Sequence, residues 1–172
     1  MSKASLIRLG GTVAVLAGVL RGIASLLPVT TPDVALQLLY IVTDVFILLG
    51  TFALYGIQHT ETGKLGLLGF LMAVVGLLII RSSKAITGVN LYPAGSLIFS
   101  LGLIILGIRL WRANILPSWV VGLWSLSVLA GMIVFFAPSL DLLFILAGLL
   151  FAIGFAAAGI RLRSEVEITK DI

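Results

Sequence analysis

The stretch that decides the fold is Val34–Ile57, VALQLLYIVTDVFILLGTFALYGI, a nearly continuous apolar run. About 20 apolar residues in a helix suffice to cross the hydrocarbon core of a bilayer. Asp44 lies about 15 Å along such a helix from its start. Five polar residues of this stretch and one directly after it recur at steps of three, four or seven, which places them on one face of a helix. They are Gln37, Tyr40, Asp44, Thr51, Tyr55 and, after the stretch, Gln58. The sequence therefore predicts a membrane-spanning helix with one polar stripe turned towards other helices.

The composition places most of the chain in lipid. Of the 172 residues, 60% are hydrophobic and only 10% are charged, whereas soluble domains have about 25% charged residues. Too few polar side chains remain to cover a surface facing water. The absence of cysteine excludes disulfides, thiolate metal sites and cysteine nucleophiles. The net charge of +4 comes from basic residues at the ends of apolar runs, which indicates membrane orientation rather than nucleic-acid binding.

Six apolar segments have a length that suits a spanning helix. They are Leu6–Leu27, Val34–Ile57, Leu65–Ile80, Ala94–Trp111, Trp119–Phe136 and Leu140–Ile160. Short turns join them, and Asp33 is placed to cap the second helix. The prediction is an all-α membrane protein with six transmembrane helices in a single domain, 1–162. A short polar tail, 163–172, follows it on the cytoplasmic side.

The basic residues predict the orientation of the chain. Arg81 and Lys84 flank spans on one side of the membrane, and Arg21 lies within the first span. Eight others fall on the side of the termini: Lys3, Arg8, Lys64, Arg109, Arg112, Arg161, Arg163 and Lys170. The positive-inside rule then places both termini in the cytoplasm.

An internal repeat of about fifty residues predicts three successive helical hairpins. Gly56, Gly107 and Gly159 are each followed by isoleucine and end the second, fourth and sixth spans. Gly11 and Gly18 in the first span correspond to glycines 69 and 76 in the third. The alternative is chance recurrence, because glycine is abundant and basic span ends are expected in any case.

The third hairpin carries a resemblance to a known family. An odd span whose end, Gly131 to Pro138, finishes in a proline, followed by an even span that ends in Gly-Ile-Arg-Leu-Arg at 159–163, resembles the HdeD-like small six-span bacterial membrane proteins. The middle hairpin lacks the corresponding proline, and Asp44 and Arg21 are not part of that pattern. The resemblance implies a bacterial inner-membrane protein associated with acid stress, with no defined chemical activity.

Asp44 is the sharpest functional candidate, because a charge at mid-membrane depth is costly and must be paired or hydrated. Arg21 on the first span differs from it in depth by about 5 Å, which an arginine side chain can bridge. We therefore expect an ion pair or a water-bridged contact between Arg21 and Asp44. Tyr40, one turn away, could donate a hydrogen bond to the carboxylate, and Gln37 and Thr51 continue the stripe. Such a pair either locks the first hairpin or forms a site that binds a ligand or relays protons.

Small residues at four-residue spacing predict close helix packing, because lipid gives helices no hydrophobic drive to associate. They are Ala14, Gly18 and Gly22, then Gly69 and Ala73, then Gly148, Ala152 and Ala156. These seams either pack inside the bundle or form a homo-oligomer interface. Three tryptophans, Trp111, Trp119 and Trp124, are expected in the interfacial aromatic belt.

Candidate catalytic groups are nearly absent. His59 is the only histidine, so neither a histidine metal site nor a serine–histidine dyad has support, and no cofactor motif is present. The first functional interpretation is therefore a non-enzymatic inner-membrane protein with an accessory or stress-associated role. The alternative is a small-solute or proton transporter, or a substrate-capturing subunit, with a polar site around Asp44. The ligand of such a site is not defined by the sequence.

Overall fold

The computed structural model describes residues 3–27, 34–57, 59–137 and 139–168. Within them the chain forms six α-helices and no strand. The helices are α1 (Lys3–Leu26), α2 (Val34–Ile57), α3 (His59–Thr87), α4 (Tyr92–Arg112), α5 (Ser118–Phe136) and α6 (Asp141–Ile168). Each is long and apolar enough to cross a membrane. The all-α, six-span prediction is confirmed, and α2 has the predicted bounds of the second span. The predicted cap Asp33 and the last stripe residue, Gln58, lie outside the described residues.

Two helices extend well beyond the predicted spans. The predicted loop from His59 to Gly63 is a helical turn that Gly63 interrupts with φ 61° and ψ −163°, a conformation that only glycine adopts easily. At its other end α3 continues to Thr87, and α6 continues past Leu162 to Ile168. A helix that already exists gains a hydrogen bond with each added residue and needs no new nucleus. Part of the predicted polar tail is therefore a continuation of α6.

The helices form a closed ring in chain order. Each helix packs against the next one, and α6 returns to contact α1. Packing is most extensive between α3 and α4 and between α1 and α6, whereas the α2–α3 and α4–α5 junctions are much looser. Successive helices thus pair as hairpins, and the first and last hairpins close the bundle.

The small-residue seams lie inside this bundle. A Cβ added to Gly159 would lie 2.5 Å from the carbonyl oxygen of Gly11, and one added to Gly18 would lie 2.6 Å from that of Ala152. Gly69 and Gly102 approach in the same way across α3 and α4, at 2.7 Å and 2.6 Å. Of the two interpretations of the seams, packing within the bundle is the one observed. The seams that were predicted as a homo-oligomer interface are occupied by the chain itself.

The glycines of the predicted repeat do not share one environment. Nothing lies within 4 Å of a Cβ added to Gly56, whereas one at Gly107 would meet the ring of Trp124 and one at Gly159 would meet α1. Three hairpins are present, but their span-ending glycines serve different contacts. The internal repeat stays a prediction.

The prediction that Trp124 belongs to the interfacial belt is wrong. Trp111 and Trp119 are 47% and 53% exposed, but Trp124 is only 2% exposed. Its ring fits between the helices because Gly107 on α4 and Gly154 on α6 present no side chain to it. Its indole nitrogen has no hydrogen-bond partner among the described residues. A tryptophan two turns inside a helix, opposite two glycines, is a core residue.

The outer surface of the ring is apolar. On α2, Leu38, Val45 and Phe52 are each about half exposed and recur at seven-residue steps. Comparable exposed apolar side chains line the other helices. Such a surface is stable only in contact with lipid, so the chain is a multi-pass membrane protein.

Candidate functional site

Asp44 forms its ion pair with Arg81, which lies on α3. Nε of Arg81 donates a hydrogen bond to Oδ2 of Asp44. The side chain of Asp44 is 16% exposed and that of Arg81 is 40% exposed. The ion pair predicted between Arg21 and Asp44 is wrong, because Arg81 is the direct partner of the acid; the water-bridged contact between Arg21 and Asp44 stays a prediction. The pair joins the first hairpin to the second, instead of locking the two helices of the first.

The guanidinium of Arg81 also lies over a tyrosine ring. Its central carbon is 5.8 Å from the ring centroid of Tyr40, which is within the range of a cation–π interaction. The expected hydrogen bond from Tyr40 to the carboxylate is not formed. Tyr40 therefore contributes the face of its ring to the cation, and this contact orients Arg81 towards Asp44.

Arg21 remains an electrostatic neighbour of the pair. It is half-buried, and its positive charge is near enough to act on the Asp44 carboxylate. Its side chain forms no hydrogen bond or ion pair with the described residues; only its backbone carbonyl is used, as acceptor for the Ser25 hydroxyl at 2.8 Å. The prediction that Arg21 and Asp44 lie in the same region of the bundle therefore agrees with the structure, although their direct contact does not.

The ion pair belongs to a regular antiparallel contact between α2 and α3. Tyr55 stacks on Phe70 with ring centroids 4.6 Å apart and an interplanar angle of 15°. Eleven residues separate Tyr55 from Asp44, and eleven separate Phe70 from Arg81. Eleven residues correspond to about three helical turns, so both contacts use the same faces of the two helices. The polar stripe predicted from the sequence is the face of α2 that meets α3.

The two remaining predicted site residues form no described contact with Asp44 or Arg81. The Thr51 hydroxyl is buried and donates to the carbonyl of Ile47, four residues earlier, at 2.8 Å. This is the usual solution for hydroxyl groups in membrane helices. Gln37 is exposed and lies nearly two turns before Asp44. The hydrogen bond of the Thr51 hydroxyl is therefore used within α2. The described polar site consists of Asp44, Arg81, Tyr40 and Arg21.

Sequence reasoning missed Arg81 because this residue flanks the predicted third span and was used only to predict the orientation of the chain. With the span ending at Ile80, Arg81 is expected at the membrane surface. Because α3 runs to Thr87, Arg81 lies about 9 Å inside the end of its helix. The signal that could have found it is the unpaired acid itself, since a guanidinium within reach on the next hairpin is as good a partner as one on the preceding helix.

The site offers charged groups for electrostatic contacts. Among the described residues no group of three histidine, cysteine, aspartate or glutamate side chains could hold a metal ion. The hydroxyl groups that donate to backbone carbonyls include those of Ser25, Thr43, Thr51, Ser125 and Ser127. A carboxylate with two guanidinium groups can hold helices together or bind an anion.

Comparisons with protein-family models, with curated proteins and with solved structures gave no match to this chain. The functional argument therefore depends on the geometry of the bundle and its polar site.

Proposed function

We propose that the protein is a non-enzymatic bacterial inner-membrane protein with both termini in the cytoplasm, in which Asp44 and Arg81 tie the first hairpin to the second. The observation that supports this proposal is the direct ion pair across the loosely packed α2–α3 junction. An acid that is already neutralised by a neighbouring cation holds the bundle together, and is not open to carry a proton or a solute.

The orientation rests on the distribution of basic residues. Arg109 and Arg112 end α4, on the same side of the bundle as the start of α1. Alkaline phosphatase fused after Ile168 should be inactive and a fluorescent protein fused there should fluoresce, because the first matures outside the cytoplasm. Active phosphatase at this position would reverse the orientation.

The accessory role in stress rests on the resemblance to HdeD-like proteins. It predicts that a strain lacking this protein survives acid exposure less well than its parent. Equal survival of the two strains in acid, with the protein present in the membrane of the parent, would remove this part of the proposal.

A second function, proton or small-solute transport, has one specific observation in its favour. Arg81 is 40% exposed, so the pair can be reached from outside the bundle. Proteoliposomes with a pH-sensitive dye inside can separate the two functions under an imposed pH gradient. If the Asp44–Arg81 pair only joins the two hairpins, proton leakage should be equally slow for the wild type and for Asp44→Asn. Rapid proton entry through the wild type that Asp44→Asn abolishes would establish transport instead.

A further inference from the structure

The polar site carries more positive than negative charge. Two guanidinium groups act on the single carboxylate of Asp44: Arg81 is in direct contact with it, and the charge of Arg21 is close enough to influence it. Arg81 uses only Nε towards the acid, and its two terminal nitrogens make no hydrogen bond to the described residues. The half-buried side chain of Arg21 has no ion pair or hydrogen bond in the same part of the chain. Among the described residues, these three side chains thus have a net charge of +1 and leave hydrogen-bond donors unused.

An excess cation inside a membrane span needs a partner. Placing an arginine in the hydrocarbon costs about 2.5–3.5 kcal/mol even on the most lenient scale. Arginine can reduce this cost by extending towards the interface or by binding an anion. Its planar fork of donors matches the oxygens of phosphate and carboxylate groups. Arg21 and Arg81 together offer two such forks.

Arg81 is the more accessible partner of the ion pair. Its side chain is 40% exposed, against 16% for Asp44, at a junction where α2 and α3 pack loosely. Arg21 lies about 8 Å from the end of α1, at the end of the bundle opposite the termini. An anion that reaches this junction therefore meets the guanidinium of Arg81 before it meets the carboxylate.

We infer that Arg21 and Arg81 bind a singly charged oxyanion, the phosphodiester of an anionic lipid headgroup, at the α1–α2–α3 end of the bundle opposite the termini. One negative charge balances the +1 cluster, whereas a doubly charged phosphate would leave an excess of negative charge. The same phosphodiester could also come from a soluble molecule. Binding is additional to the Asp44–Arg81 tie and does not require that pair to break, because the terminal nitrogens of Arg81 are not used in it.

The test uses the purified full chain in a neutral detergent and three probes. They are phosphatidylglycerol, phosphatidylcholine and glycerophosphoglycerol, which is the first headgroup without its acyl chains. Lipid binding by native mass spectrometry and the rise in Tm are measured for the wild type, Arg21→Gln, Arg81→Gln and Arg112→Gln. Arg21→Gln is the main variant because it leaves the Asp44–Arg81 pair intact. Arg112 is exposed at the opposite end of α4 and is the matched control.

We expect phosphatidylglycerol to raise the Tm of the wild type more than phosphatidylcholine does. Arg21→Gln should weaken its binding about tenfold or more, the loss expected for one charge-assisted hydrogen bond, while Arg21→Lys restores part of it and Arg112→Gln changes it little. If glycerophosphoglycerol gives the same rise, the anion is soluble; if only the intact lipid does, it is a headgroup. Equal losses in Arg21→Gln and Arg112→Gln, or equal effects of the two lipids, would overturn the inference. Because Arg21→Gln leaves the Asp44–Arg81 pair intact, a negative result in the lipid-binding test does not refute the proposed structural role of that pair.

Discussion

The strongest prediction concerns the cost of removing either partner of the Asp44–Arg81 pair. Arg81→Gln leaves a carboxylate that is only 16% exposed without its direct cation. For a fully buried pair, such a change costs about 3–5 kcal/mol. We expect about 2–3 kcal/mol of lost unfolding free energy, since the pair is partly exposed and the charge of Arg21 remains near the acid.

The opposite change should cost less. Asp44→Asn leaves Arg81 unpaired, but that side chain is 40% exposed and can extend towards the interface. Exposed charge pairs contribute little to stability, so we expect a loss of about 1–2 kcal/mol. The two single variants therefore differ in a defined order, with Arg81→Gln the less stable.

The double variant separates the pair from the individual side chains. Asp44→Asn combined with Arg81→Gln should be more stable than the sum of the single losses predicts, by about 1–2 kcal/mol, because neither charge is left alone. Unfolding free energies are measured by reversible unfolding with sodium dodecyl sulfate in mixed micelles. A control cycle of Asp44→Asn with Arg112→Gln, about 20 Å apart along the bundle axis, should be additive to about 0.5 kcal/mol. If the Asp44–Arg81 cycle is additive to the same limit, the pair does not stabilise the contact between the two hairpins, and the proposed structural role is refuted.

Two further predictions test the packing of the bundle by the same unfolding measurement. Gly102→Ala should destabilise by about 1–3 kcal/mol, the usual cost of overpacking, because its Cβ would lie 2.6 Å from the carbonyl oxygen of Gly69. Gly131→Ala, where nothing lies within 4 Å of the added Cβ, should be neutral or stabilising by up to about 1 kcal/mol. Equal losses of stability at both sites would contradict close packing of the small-residue seam. Ser127→Ala should cost about 0.6 kcal/mol, a typical value between membrane helices, because its hydroxyl donates to a carbonyl of α6 at 2.8 Å. Ser125→Ala removes only a hydrogen bond within α5 and should leave the unfolding free energy almost unchanged. A larger loss of stability in Ser125→Ala than in Ser127→Ala would contradict this prediction.

Helix existence and polarity could be predicted from the sequence, because both depend on local composition. The length of an apolar run fixes whether it spans a membrane, and α2 has the predicted bounds. The periodicity of its polar residues also identified the face that meets α3. These properties belong to one helix at a time and need no knowledge of its neighbours.

Partners across helices were not predictable in the same way. Depth restricts the partner of Asp44 to cations near its own level, and both Arg21 and Arg81 satisfy that condition. The choice between them depends on how α1, α2 and α3 are rotated about their axes, which periodicity does not give. Trp124 illustrates the same difficulty, since only the opposing Gly107 and Gly154 distinguish its buried position from that of an interfacial tryptophan.

The position of the ion pair follows from how this bundle achieves cohesion without a hydrophobic drive between helices. Where glycines face each other, as Gly11 and Gly159 do, the backbones approach closely and dispersion contacts hold the helices together. The α2–α3 junction packs loosely, and its described contacts include the Asp44–Arg81 pair and the packing of Phe52 and Tyr55 on Phe70. A charged pair is an expensive way to join two membrane helices. Its use at a loose junction therefore fixes which hairpins meet, and the terminal nitrogens of Arg81 make no hydrogen bond to the described residues there.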